Sequence, residues 1–134
     1  MRFKSKHEAM NRRNRRWCCD ACHAWYRDEK PRQCRCGAKE FLYFASVIEA
    51  KRYAELYLLS QHGKITNLVN QPRYPISING VKITTYVADF AFTDEKGNRI
   101  IEDVKPKNFM TDMAKMKIKM AEATYGIQIQ IVER

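Results

Sequence analysis

The sequence predicts an α/β protein: a small mixed sheet flanked by helices, preceded by a basic arm and a cysteine-rich segment. Three observations carry this. Short runs alternate apolar and polar residues, as in Ile127-Gln128-Ile129-Gln130-Ile131, the period of a half-buried strand. Two longer stretches, from Ser46 to about Gln61 and from Thr111 to about Tyr125, repeat apolar residues every three or four positions, the period of a helix face. Four cysteines stand in two close pairs, Cys19-x-x-Cys22 and Cys34-x-Cys36, the spacing of metal ligands.

The arm comes first. The chain has 134 residues and a net charge of +10, unevenly placed. Residues 1–16 carry seven Lys/Arg (Arg2, Lys4, Lys6, Arg12, Arg13, Arg15, Arg16) against Glu8, residues 17–39 five against three, and residues 40–134 13 against 11. A run such as Arg12-Arg13-Asn14-Arg15-Arg16 suits phosphate contact with counterion release, which points to nucleic acid as the partner; a solvated tail is the alternative. No apolar stretch long enough to span a bilayer is present, so no membrane partner is expected. No apolar segment of a secretory signal follows the basic start, so a cytoplasmic location is expected.

The cysteines follow. Cys19-x-x-Cys22 can form one turn that presents two thiolates, and Cys34-x-Cys36-Gly37 resembles the second knuckle of a zinc ribbon, with Gly37 easing the turn. The second pair is one residue tighter than C-x-x-C, and Cys18 or His23 could replace a ligand. An odd count of five and a reducing compartment argue against a disulfide framework. About 20 residues cannot close a useful core, so structural Zn²⁺ would supply folding free energy on the order of 10 kcal/mol. The expected organisation is a basic arm at 1–16, a zinc-ribbon-like module at 17–40 and the α/β domain at 41–134.

Within that domain Ser46-Val47-Ile48-Glu49 is a capping box that opens the first helix, with Val47, Ala50, Tyr53, Ala54, Tyr57 and Leu58 as its apolar face and Gly63 as its stop. After a break at Gln71-Pro72, Ile76-Ser77-Ile78 and Val81-Lys82-Ile83 alternate around Asn79-Gly80, a strong hairpin signal. Tyr86–Phe92 and Arg99–Lys105 read as two strands joined through Asp94-Glu95-Lys96-Gly97. Thr111 opens the second helix, with Met113, Met116 and Met120 as core filling and Gly126 as its C-cap. Lys115, Lys117 and Lys119 on this helix are phosphate contacts or a plain solvated face. Ile127–Ile131 closes the chain as a last strand.

Chemistry concentrates in Glu49, Asp89, Asp103 and Lys105. In a strand, positions i and i+2 share a face, so Asp103 and Lys105 point together while Glu102 and Val104 point away. If the strands carrying Asp89 and Asp103 pair, their carboxylates can converge on one divalent cation. Two hard oxygen ligands beside an ammonium suit Mg²⁺, or Mn²⁺, and phosphoryl chemistry. An acid two residues before a lysine also arises by chance about once in a chain of this length, and Glu49 has a structural use as a cap. Other chemistries lack a pattern: there is no G-x-S-x-G and no phosphate-cradling glycine loop. His7, His23 and His62 are isolated.

Resemblance adds to this. Phe44-Ala45-Ser46, Glu49-Ala50, Arg52-Tyr53, Glu55-Leu56, Gln71-Pro72-Arg73, Tyr86-Val87-Ala88-Asp89-Phe90, Glu102-Asp103-Val104-Lys105 and Tyr125-Gly126-Ile127 follow in order. Together they resemble a family of small phage and prophage proteins, long carried as a domain of unknown function, in the PD-(D/E)XK nuclease superfamily. The order of helix glutamate, strand aspartate and acidic-x-lysine is also similar to that of phage endonuclease I, a Holliday-junction resolvase. The resemblance implies a restriction-endonuclease-like (PD-(D/E)XK) core, with Asp89 and Asp103 as metal ligands, Lys105 as the catalytic lysine, Glu49 as the helix carboxylate near the metal and Gln71 beside the site. Pro106 stands where relatives often have glycine, which leaves the backbone path after Lys105 open.

The expectation is a phage-type, Mg²⁺-dependent endonuclease in a bacterial host's cytoplasm, in which the basic arm and zinc ribbon hold DNA. Branched DNA, Holliday junctions above all, is the expected substrate, and paired symmetric cuts would call for a homodimer. The competing expectation is a zinc-ribbon nucleic-acid-binding protein whose nuclease fold is inactive. Asp89, Asp103 and Lys105 discriminate the two, since a pure binder has no use for carboxylates that repel phosphate.

Overall fold

A computed structural model describes residues 14–134. They form two compact units, one up to Lys51 and one from Arg52 to Arg134. Both are mixtures of short strands, with two helices along the described chain.

In the first unit, β1 (Arg16–Cys19) is the central strand of a three-stranded antiparallel sheet, between β2 (Trp25–Arg27) and β3 (Phe41–Phe44). Aromatic pairs supply its packing: Trp17 lies 4.5 Å from Tyr43, Trp25 5.8 Å from Phe44, and Tyr26 meets Phe41 edge-on at 5.9 Å. Phe44, Cys18, Cys19 and Cys34 are buried. Helix α1 (Val47–Gln61) begins in this unit, where Ser46 Oγ accepts the Glu49 N–H at 3.3 Å, the N-cap bond of the expected box.

In the second unit, α1 ends as expected at Gly63. Its φ of +71° lets the Gly63 and Lys64 N–H groups bond back to Ser60 and Leu59, closing the orphan carbonyls. The chain then forms β4 (Thr66–Asn70), β5 (Arg73–Ile78), β6 (Val81–Val87), β7 (Phe90–Thr93) and β8 (Arg99–Lys105). Helix α2 (Asp112–Tyr125) and β9 (Ile129–Glu133) follow. The main sheet has the order β4-β7-β8-β9, antiparallel except for the parallel pair β8 and β9, which α2 connects. β5 and β6 make a separate two-stranded ribbon around Asn79 and Gly80, both at positive φ, as a type I′ turn requires.

The two faces of β8 meet different partners. Ile101 lies in a core with Ile76 and Tyr86 of the ribbon, Ala91, Ile129, and Ile118 and Ala121 of α2. Glu102 receives Arg52 of α1 through two bonds of 2.9 and 2.6 Å, and Tyr53 stacks on Phe90 at 6.3 Å. The mixed sheet is thus flanked by helices.

Four expectations are corrected. The run Tyr86–Phe92 is not one strand: β6 ends at Val87, β7 starts at Phe90, and Asp89 sits on the bend between them. The reason is a change of partner, from the ribbon to the main sheet, which alternation does not reveal. Of the four methionines from Met110 to Met120 expected to fill the core, Met110 and Met120 pack beside the buried Ile118 and Ala121, while Met113 and Met116 are 65% and 58% exposed. On α1 the buried stripe is Ala50, Tyr53 and Leu56, and Leu58 is exposed, because steps of three residues fall short of a full turn and rotate the stripe toward Leu56, away from Leu58. The last strand also starts two residues later than expected, after the Gly126 cap.

Glu102 is almost completely buried and Arg52 mostly so. Removing one partner of such a pair strands a charge in the interior, which typically costs about 3–5 kcal/mol. Arg52→Ala is expected to lower the urea unfolding free energy by about that amount. Arg52→Met combined with Glu102→Leu, which removes both charges, is expected to cost far less. Equal losses in the single and double variants would show that the pair itself is not what matters.

Candidate metal centre and candidate active site

Successive side chains of β1 point to opposite faces, so Cys18 and Cys19 part company. Cys19 joins Cys22, Cys34 and Cys36, whose Sγ atoms all lie within 4.8 Å of one another. Cys19 Sγ is 3.6 Å from Cys36 Sγ, and Cys22 Sγ is 3.5 Å from Cys34 Sγ. All five cysteines are free thiols. Each close pair rides on a tight turn. The His23 N–H donates to the Cys19 carbonyl at 2.9 Å with His23 at φ +60°, and the Gly37 N–H donates to the Cys34 carbonyl at 2.8 Å with Gly37 at φ +95°. Gly37 therefore has the role the spacing gave it.

Polar groups turn toward the sulfurs. The Cys22 N–H approaches Cys19 Sγ at 3.5 Å, and the Tyr26 hydroxyl donates to Cys34 Sγ at 3.2 Å. The Cys36 backbone amide, and then the Tyr26 hydroxyl, bring the Cys34 thiol down to about 6. The Ala38 amide acts to lower Cys36, but the sulfurs of Cys34, Cys19 and Cys22 outweigh it and push Cys36 up to about 12. Cys22 also rises, with its Ala24 bond outweighed chiefly by Cys34. Without a cation, one thiolate opposes the next. Four thiols at this distance can hold a metal ion that removes that opposition, and four sulfur donors are a set that Zn²⁺ takes in structural sites. Cys18 is outside the set: its Sγ is 3.6 Å from His23 Nδ1, and burial pushes its thiol up to about 11. Tyr26 carried no sequence signal that set it apart from a core aromatic.

In the second unit the structure brings together Asp89, Asp103 and Lys105. Asp103, buried on β8, places Oδ1 3.1 Å from Lys105 Nζ and accepts the Tyr86 hydroxyl on Oδ2 at 2.6 Å. Asp89 accepts the Val104 N–H on Oδ2 at 2.6 Å and gives its own N–H to the Glu102 carbonyl at 3.0 Å. Its carbonyl accepts the Gln71 N–H at 2.9 Å. Gln71 therefore stands beside Asp89 through the backbone, at φ +51°. Tyr86 feels both acids: burial foremost, then its bond to Asp103 and the charges of Asp103 and Asp89, hold its hydroxyl strongly protonated and therefore a donor.

The site lies where two chain segments leave the ribbon side by side. Asn70-Gln71-Pro72 connects β4 to β5, Ala88-Asp89 connects β6 to β7, and the Ala88 N–H donates to the Pro72 carbonyl at 3.1 Å. Pro106 does not disturb β8. It opens a turn in which its carbonyl accepts the Phe109 N–H at 3.0 Å, with Asn108 at φ +57°. Glu102, adjacent to Asp103, is absorbed by Arg52 on the other face, as alternation requires.

Glu49 lies in the other compact unit, on the first turn of α1. Of the arm, Arg12 and Arg13 fall outside the described residues. Arg15 is exposed, and Arg16 opens β1 and donates to the Arg15 carbonyl at 2.8 Å. Lys115 and Lys119 are exposed on α2, and Lys115 shares a cleft with Lys105. Among the described residues no helix is long and apolar enough to cross a membrane.

These features define a mixed α/β protein with a four-cysteine centre that can hold a metal ion. The model of a family described as a protein of unknown function (DUF1064) matches residues 37–132, and the chain belongs to that family. No curated protein and no solved structure matches it. The matched span includes Glu49, Gln71, Asp89, Asp103 and Lys105, whereas the four clustered cysteines all precede its start at Gly37.

Metal analysis of protein purified without chelators is expected to find about one Zn²⁺ per chain, as one four-sulfur site demands. Cys22→Ser or Cys34→Ser should lose the metal, and Cys18→Ser should keep it. Zinc lost equally from the Cys18 and Cys34 variants would contradict the assignment of the four ligands.

Proposed function

We propose that this chain is a Mg²⁺-dependent endodeoxyribonuclease of the PD-(D/E)XK type, acting on branched DNA, with Zn²⁺ as a structural ion in its N-terminal module. The observation that carries the reading is the grouping of Asp89 with Asp103 and Lys105 beside one break in the sheet. Hard oxygen donors next to an ammonium are a set that fits a divalent cation and a phosphodiester. Asp89 and Asp103 would hold Mg²⁺ or Mn²⁺, and Glu49 is the further carboxylate that the superfamily resemblance implies. When bound, the ion supplies Lewis-acid polarisation of a phosphoryl oxygen and charge neutralisation.

The chain's own groups have separable tasks. The Tyr86 hydroxyl donates to Asp103 and fixes the orientation of its carboxylate. The Lys105 ammonium, anchored on Asp103 at 3.1 Å, is placed to stabilise charge that builds on the phosphate oxygens as the water oxygen bonds to phosphorus. Breaking the P–O3′ bond leaves a 5′-phosphate and a 3′-hydroxyl, the outcome the superfamily resemblance implies. The preference for branched DNA and for a homodimer rests on the similarity to endonuclease I, an analogy of arrangement.

Asp89→Asn and Asp103→Asn are each expected to reduce Mg²⁺-dependent cleavage of a DNA panel (linear, flapped, four-way) by on the order of 100-fold or more while DNA binding persists. Full activity in both would sink the assignment of Asp89 and Asp103, whereas no Mg²⁺-dependent cleavage by the unaltered protein would leave a zinc-dependent nucleic-acid-binding protein. Lys105→Ala should lose cleavage with binding kept. Glu49→Gln separates the two uses of that residue, because glutamine still caps a helix but cannot ligate as a carboxylate.

The arm has its own test. Deleting residues 1–13 removes the five cations Arg2, Lys4, Lys6, Arg12 and Arg13. The slope of log affinity against log salt should become shallower by about 0.9 for each duplex phosphate that the arm no longer neutralises. An unchanged slope would move the electrostatic grip to the zinc module or to Lys115 and Lys119.

A further inference from the structure

Beside Lys105 lies a cleft of about 420 Å³, and its lining is chemically mixed: the ammonium-bearing Lys105 and Lys115, the apolar Phe109, Met110 and Ile131, and one carboxylate, Glu133. The volume lies in the range of sites that take small ligands. Phe109 is 64% exposed, an unfavourable position for a large ring, and its backbone is held. The turn from Pro106, with Asn108 in the left-handed region, fixes it, so the ring is presented rather than merely uncovered. Ile131, itself 37% exposed, lies in the same cleft.

An aromatic and aliphatic lining between two cations complements one kind of ligand well: a planar base joined to a phosphate. Bases of any identity stack on such a surface, while the ammoniums take the backbone. A base inside a duplex cannot reach it, because both of its faces are stacked. We infer that this cleft receives an unpaired nucleotide next to the phosphate that Lys105 faces, with Phe109 as the stacking platform and Lys115 as a backbone contact. The substrate class is then DNA with an unpaired or splayed nucleotide at the cut, as in a flap or an open branch point, in preference to continuous duplex. Glu133 offers an acceptor to an exocyclic amino group of the base. The position of the cut rests on the nuclease reading; the stacking does not.

The test is equilibrium binding by fluorescence anisotropy, without Mg²⁺ and without chelator, of a labelled duplex bearing a single-stranded flap and of the fully paired duplex of matching sequence. Phe109→Ala is expected to weaken binding to the flapped DNA about tenfold, within the span measured for one base stacked on an aromatic side chain, and to leave binding to the paired duplex within about twofold. Phe109→Tyr, which keeps the ring, should retain wild-type preference. Because the ring is mostly exposed, the melting temperature should not change, and a melt run alongside separates a folding defect from a stacking defect. Equal weakening on both DNAs, no weakening on the flapped DNA, or a Phe109→Tyr variant as weak as Phe109→Ala would each overturn the proposal. Phe109-dependent binding in a protein that cleaves nothing with Mg²⁺ would support the cleft and reject the nuclease reading alone.

Discussion

A carboxylate can be kept away from water only where its oxygens are answered, and in the second unit the answering of Asp103 ties the sheet, the ribbon and the candidate site together. Its side chain is only 6% exposed, so an unanswered charge would be strongly destabilising. Tyr86 answers one oxygen from the ribbon and Lys105 the other from the same strand. The Tyr86 ring is part of the apolar core with Ile76, Ile101 and Ile118, so the hydroxyl that positions the carboxylate is placed by packing. The hydrogen bond and the core therefore require the same placement of the ribbon over β8. A shift of one residue would turn Asp103 to the Arg52 face and Glu102 to the Tyr86 face, and each carboxylate would then have the wrong length for the partner it meets.

The parts of this arrangement that were legible in the sequence are those fixed by local chemistry. Asn79-Gly80 gave the hairpin because few other pairs accept positive φ twice in succession. Ser46, Thr111, Gly63 and Gly126 gave both helices because a helix end needs a side-chain acceptor or a left-handed residue; Thr111 Oγ1 indeed accepts the Ala114 N–H at 3.1 Å. The separation of Glu102 from Asp103 followed from strand alternation alone. The four clustered cysteines followed from spacing, although the choice between Cys18 and Cys19 needed the direction of β1. What remained hidden depends on which surfaces meet. The bend at Asp89 lies inside a run that is otherwise apolar from Tyr86 to Phe92, and nothing in its periodicity marks the point where the chain trades one sheet partner for another. Tyr86 reads as a core aromatic until its hydroxyl finds Asp103. The methionines of α2 read as core because they are apolar at helical spacing, but of these only Met120 packs against the cluster that buries Ile118 and Ala121.

The two units solve the problem of small size differently. The second has a sheet with helices on both faces and an apolar cluster around Ile101. The first has one three-stranded sheet and a few aromatic pairs, which is little for independent stability. Its four cysteines lie on turns at both ends of the intervening segment, so an ion bound there would join Cys19 and Cys22 to Cys34 and Cys36 across the loop. The resulting link does for a short chain what a larger core does for a long one. The family match begins at Gly37, so the carboxylate site lies within the matched span and the four clustered cysteines before it. The two centres can therefore be judged separately: failure of either reading leaves the other standing.

The charges at the proposed catalytic centre give a reason for a cation that is independent of resemblance. Asp89 and Asp103 carry two formal negative charges against one positive charge on Lys105, and Lys105 is already held by Asp103. A phosphodiester approaching these three groups would meet net repulsion at short range, in a partly buried setting where such interactions are least screened. The protein's overall charge of +10 draws a polyanion toward the surface but does not cancel a local excess of negative charge within a few ångströms. A divalent ion held by Asp89 and Asp103 would offset that excess, which is the need the proposed cation would meet. On the proposed reading, long-range attraction by arm and surface lysines would come first, and close approach to Asp89 and Asp103 would depend on the cation.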